Sequence, residues 1–136
     1  MADTSKRQRP VFRNINIFDL RHYRLPLAGI VSILHRVSGA MMFLLMPFIV
    51  WMFDTTLTSE VSFAQFSHAF EGFFVKLICF ALTWAYLLHF IAGVRHLWMD
   101  LTHSVSKEQG QSSAIVTLAL SLGLTVVLGA KLFGLI

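Results

Sequence analysis

The sequence predicts an all-α membrane protein of three transmembrane helices, with the N-terminus cytoplasmic and the C-terminus periplasmic. Three observations predict it. Of 136 residues 56% are hydrophobic and only 13% charged, about half the charged share of a soluble domain. Three apolar runs are each long enough for the roughly 20 residues that cross a bilayer. The charges between the runs differ in sign, with basic residues gathered before the first run and acidic ones after it.

Residues 1–25 form a basic arm, with Lys6, Arg7, Arg9, Arg13, Arg21 and Arg24 against Asp3 and Asp19. Pro10 and the irregular pattern argue against a long helix there. The first span covers residues 26–53. Pro26 suits a first helical turn, Pro47 is the kind of interior proline membrane helices tolerate, and Asp54 is expected to end the span. Residues 54–70 carry Asp54 and Glu60 but no lysine or arginine, so they are expected as an outer loop, with His68 given no role. The second span covers 71–98, with Lys76 placed to snorkel at its outer end. Residues 99–112 are a polar cytoplasmic loop, and 113–134 the third span, with Gly123 and Gly129 expected at close helix contacts.

This length leaves no room for a soluble catalytic domain, so chemistry must come from a cofactor or from partner chains. The net charge of +4 does not point to nucleic acid, because the basic residues sit beside a membrane span as topology determinants. The one cysteine, Cys79, lies in an apolar run and reads as packing. The opening MADTSKRQRP lacks the apolar core of a cleavable signal or an obvious transit peptide, which favours a bacterial cytoplasmic (inner) membrane.

The stretch Trp84–Asp100, WAYLLHFIAGVRHLWMD, carries the chemistry. His89 lies in the uncharged run between Lys76 and Arg95. An ionisable side chain at that depth is costly and marks a functional site by default. His89, Gly93 and His96 share one helix face, and Gly93 leaves a gap one turn from the imidazole. That suits axial ligation of a haem; a membrane histidine hydrogen-bonded to a neighbouring helix is the alternative.

The predicted topology brings the polar start of the first helix, Ser32, His35, Arg36 and Ser38, to the level of Arg95, His96 and Asp100. His89 lies roughly 9 Å deeper than Arg95 at the helical rise. A haem at His89 would turn its propionates toward this boundary. A quinone ring resting there would find donors in Ser32 and Arg36, with His96 and Asp100 as candidates for a proton path. Singly, each has a plainer reading: Arg36 and Arg95 as snorkelling anchors, Ser32 as a packing residue bonded to its own helix, Asp100 as an offset to a nearby cation.

RPV at Arg9–Val11, SILHRVSG at Ser32–Gly39 and HFIAGVRHLWMD at His89–Asp100 together resemble the cytochrome b subunit of succinate dehydrogenase, respiratory complex II. The order, spacing and three-helix layout cover nearly the whole chain; the third helix matches only in hydropathy. The resemblance implies an anchor subunit that pairs with a second membrane-anchor subunit. Together they hold a flavoprotein subunit and an iron–sulfur subunit, and electrons from succinate pass to ubiquinone. It implies that His89 ligates haem b iron, with the other axial histidine from the partner anchor. It implies His35 and Arg36 near the propionates, Ser32 and Arg36 at the quinone, and Asp100 beside the quinone site. Many members follow Arg-Pro with Ser-Pro-His where this chain reads RPVFRNINIFDLRHYRLPL, so no role carries over to the arm or to His22. Two other readings remain at this level: the anchor of a fumarate reductase, and a cofactor-free transporter or assembly protein. A single buried histidine on the second span argues against a two-haem anchor in one chain.

Overall fold

The computed structural model describes residues 16–136; the RPV segment and most of the basic arm lie outside them. A short 3₁₀ turn, Ile17–His22, precedes four α-helices: α1 (Leu27–Thr58), α2 (Glu60–Ala69), α3 (Phe73–Thr102) and α4 (Lys107–Leu132). No strand occurs among the described residues. Three of the helices, α1, α3 and α4, are long and apolar enough to cross a membrane.

The helices depart from the expected spans where side chains supply extra capping. α1 continues through Pro47 and past Asp54. There the hydroxyls of Thr55, Thr56 and Thr58 donate to the carbonyls of Trp51, Phe53 and Asp54. The backbone turns at Ser59, whose side chain accepts from the Ser62 amide and so starts α2. Ser62 Oγ donates back to the Thr55 carbonyl at 2.7 Å. The connection between α1 and α3 is therefore largely helical, stitched by hydroxyls, instead of an open loop. α3 ends at His103, which adopts a left-handed conformation (φ 53°). α4 begins well before Ser113 because Ser106 and Gln109 form a reciprocal capping box, a device worth about 1 kcal/mol at its N-cap.

The three long helices converge near their polar ends. Val31 of α1, Ala92 of α3 and Ala114 of α4 are fully buried against one another. α4 faces α3 with small residues, Gly110, Ala114, Thr117, Ser121, Thr125 and Gly129, all buried at spacings of three or four. Small side chains let backbones approach in lipid, where no hydrophobic force joins helices. The Thr117, Ser121 and Thr125 hydroxyls are satisfied by carbonyls of their own helix. Gly129 meets the Phe80 ring as expected, whereas Gly123 has nothing within 4 Å and faces away from the bundle.

A candidate cofactor site between α1 and α3

α1 and α3 meet through a reciprocal contact that the sequence writes twice, as His35-x-x-x-Gly39 and His89-x-x-x-Gly93. In each helix the glycine lies one turn beyond the histidine on the same face. The helices run in opposite directions, so each imidazole lies over the other helix's glycine. A methyl added at Gly39 would stand 2.7 Å from His89 Cε1 and 3.2 Å from its Nδ1; one at Gly93 would stand 3.6 Å from His35 Nε2. The two rings stack with centroids 4.2 Å apart and planes 15° apart. His96 adds a third ring, 5.1 Å from His35 and tilted by 48°. The notch at Gly93 thus holds His35, where the sequence suggested room for a flat ligand.

The hydrogen bonds distinguish the two stacked histidines. His89 Nδ1 is 2.9 Å from the His35 carbonyl oxygen. A carbonyl only accepts, so Nδ1 carries the proton and the neutral ring keeps its lone pair on Nε2. Ser38, buried at 4% exposure, donates its hydroxyl to the same carbonyl at 2.9 Å, and its oxygen lies 3.3 Å from His89 Nδ1. His89 Nε2 has no partner among the described residues, and it is not sealed inside the chain. His35 instead aims its Nε2 into the Gly93 notch. An imidazole with a fixed tautomer and an unengaged Nε2 has a lone pair available to accept a hydrogen bond or to ligate a metal. No group of three or more His, Cys, Asp or Glu that could hold a metal ion occurs among the described residues.

The other predicted residues surround this contact. Ser32 is half-buried and Arg36 exposed, both one turn or less from His35 on α1. Asp100 is exposed on α3. The register that sets Gly39 against His89 and Gly93 against His35 puts Asp100 level with Ala28, about 6 Å beyond Ser32 at the helical rise. Arg95 departs from the surface position expected of it. It is only 8% exposed, and it donates from Nε to Ser113 Oγ at 2.8 Å and from Nη2 to the Gly110 carbonyl at 3.2 Å. It ties α3 to the start of α4.

Sequence reading gave Ser38 and Gly39 no role, although both lie in the quoted SILHRVSG segment. The signal that would have found them is the doubled H-x-x-x-G pattern on two helices expected to be antiparallel.

Fold and site define a small three-span membrane protein whose first two spans cross at a histidine pair. The chain belongs to the succinate dehydrogenase/fumarate reductase transmembrane subunit family, which matches residues 5–128. It is 31% identical to the succinate dehydrogenase cytochrome b556 subunit of Paracoccus denitrificans, over 93% of this chain and 94% of that one. It is 33% identical to the subunit of the same name from Coxiella burnetii, over 86% of this chain and 94% of the relative. A succinate dehydrogenase cytochrome b560 subunit from Reclinomonas americana is 26% identical over 88% of this chain.

Proposed function

We propose that this chain is the membrane-anchor cytochrome b subunit of a succinate dehydrogenase in a bacterial inner membrane. In this reading it binds haem b together with a second anchor subunit and forms part of the site where electrons from succinate reduce ubiquinone. The names of the relatives supply the cytochrome and the complex. The observation that carries haem ligation to this chain is the donation from His89 Nδ1 to the His35 carbonyl, which leaves Nε2 as the ligating atom. The donor set fits haem: this chain would offer one fixed imidazole, and the partner anchor would offer another histidine.

When bound, haem supplies a one-electron carrier within the membrane. His89 would hold it through Nε2, and the His35 carbonyl, bonded to Nδ1, would keep the ring from rotating. Arg36, exposed on α1, pairs with propionate charge, and His35 lies on the same side. Ser32 and Arg36 donate hydrogen bonds to quinone carbonyl oxygens, polarising them as electrons arrive. Asp100 and His96 relay protons from the cytoplasmic boundary. The iron–sulfur and flavoprotein subunits dock on that side and deliver electrons from succinate.

The deciding experiment is His89→Leu in the intact complex, followed by a reduced-minus-oxidised visible spectrum. Loss or displacement of the haem α-band is expected. An unchanged band would remove His89 as the ligand, and a colourless wild-type complex would remove the whole reading.

A further inference from the structure

Two neighbours of His89 are unexplained by ligation itself. Gly39 stands so close that any side chain there would meet the imidazole at Cε1. Ser38 is almost fully buried, yet its hydroxyl makes no link that α1 needs. It donates to the His35 carbonyl, the same oxygen that accepts His89 Nδ1–H. The carbonyl therefore divides its acceptor strength between a hydroxyl and an imidazole at the same distance.

The partner of the outer nitrogen sets how electron-rich the ligating nitrogen is: the more strongly Nδ1–H is drawn off, the more basic Nε2 becomes. We propose that Ser38 and Gly39 are positioning residues for His89, resting on its ligand role above. Gly39 leaves the space in which the ring stands, and the Ser38 hydroxyl, by sharing the His35 carbonyl, holds the Nδ1–H bond at moderate strength. Ser38 Oγ also lies 3.3 Å from Nδ1 and so accepts weakly from it. Competition at the carbonyl outweighs this because both bonds to that oxygen are shorter, at 2.9 Å. A less electron-rich Nε2 stabilises ferric iron less, so Ser38 raises the haem's midpoint potential.

The test is potentiometric titration of the haem band in the purified wild-type complex and in its Ser38→Ala and Gly39→Ala variants. Gly123→Ala, at a position with open space around it, is the control and should match wild type. Ser38→Ala should keep full haem content and lower the midpoint potential beyond the scatter among wild-type preparations. An unchanged potential, or a raised one, would overturn the sharing of the carbonyl. Gly39→Ala should displace the imidazole and alter the low-spin ferric electron paramagnetic resonance signal, or lose haem at unchanged subunit levels. A wild-type signal and haem content in Gly39→Ala would overturn the positioning role of that glycine. Ser38→Ala removes an atom and adds none, so its potential tests the sharing of the carbonyl even where Gly39→Ala fails to assemble. Haem absent from wild type would instead defeat the ligand reading on which both rest.

Discussion

Two arginines near the same end of the bundle do different work, and burial separates them. Arg95 is buried and spends donors on Ser113 and on the Gly110 carbonyl, whereas Arg36 is exposed on α1. Arg95→Ala removes both bonds to α4, leaving the Ser113 hydroxyl and the Gly110 carbonyl bonded to each other at 3.2 Å but no longer tied to α3, at a cost of about 1.5–3 kcal/mol for hydrogen bonds from a charged group. It should lower the thermal stability of the complex and reduce succinate–dye and succinate–quinone activities together. Arg36→Ala should leave stability near wild type. On the proposed quinone-site reading it removes a charge-assisted donor of about 1.5–3 kcal/mol, so quinone reduction should fall roughly tenfold or more, while electron transfer from succinate to an artificial dye is kept. Equal losses in both assays for Arg36→Ala would assign it to assembly. Both arginines are plain in the sequence; their division of labour is not, because it depends on α4 starting at Lys107 and bringing Ser113 beside Arg95.

At the scale of helices, what the sequence made legible is what needs only one helix at a time. Three long apolar runs, a histidine deep in the second, and polar residues at one end of the first all follow from hydropathy and the helical repeat. The histidine stack was not read, because it requires the register between α1 and α3, which neither helix sets alone and only the two H-x-x-x-G patterns taken together suggest. The helix α2 was hidden for another reason: its serines, phenylalanines and glutamate read as an irregular loop until Ser59 caps it. The role of α4 lies between these cases. Its buried stripe of glycine, alanine, serine and threonine is periodic, yet the sequence reading picked out of it only Gly129, together with Gly123, which lies on the opposite face. The stripe gives a direct test. Ser121 has no exposed surface, so Ser121→Leu forces α4 off α3 and overpacking should cost about 1–3 kcal/mol or more. The complex should melt earlier in detergent, while Leu122→Ala, at an exposed position, should leave the melting temperature unchanged.

For the whole molecule the open question is how the bundle sits across the membrane, since burial within one chain does not orient it. α1 has only Val31 and Ser38 buried, and Phe43, Leu44, Phe48 and Trp51 stand exposed along it. A groove of about 610 Å³, lined by Met41, Met42, Leu45, Phe48, Ile78 and Leu82, opens between α1 and α3 beyond the histidine contact. These faces suit lipid or the proposed second anchor subunit and are silent on orientation. Charge supplies the direction. Arg24 and Arg36 lie at the start of α1, and Arg95 and Lys107 flank the α3–α4 connection, so both positions belong to the same end of the bundle. Between α1 and α3 the residues from Asp54 to Glu71 hold three acids, Asp54, Glu60 and Glu71, and no lysine or arginine. Basic residues in short segments beside spans are retained in the cytoplasm, whereas acidic residues weigh little. On this charge rule we propose that the α3–α4 connection and the start of α1 face the cytoplasm, which places Ile136 on the other side. In that proposed orientation the histidine pair lies toward the side on which the proposed electron-delivering subunits would dock. An alkaline phosphatase fusion after Ile136 should be active and a fluorescent-protein fusion at the same point dark, with the opposite result for fusions in the Ser104–Ser106 turn. A bright fluorescent protein at the C-terminus would invert the bundle and place Ser32 and Arg36 on the side away from the proposed electron donors.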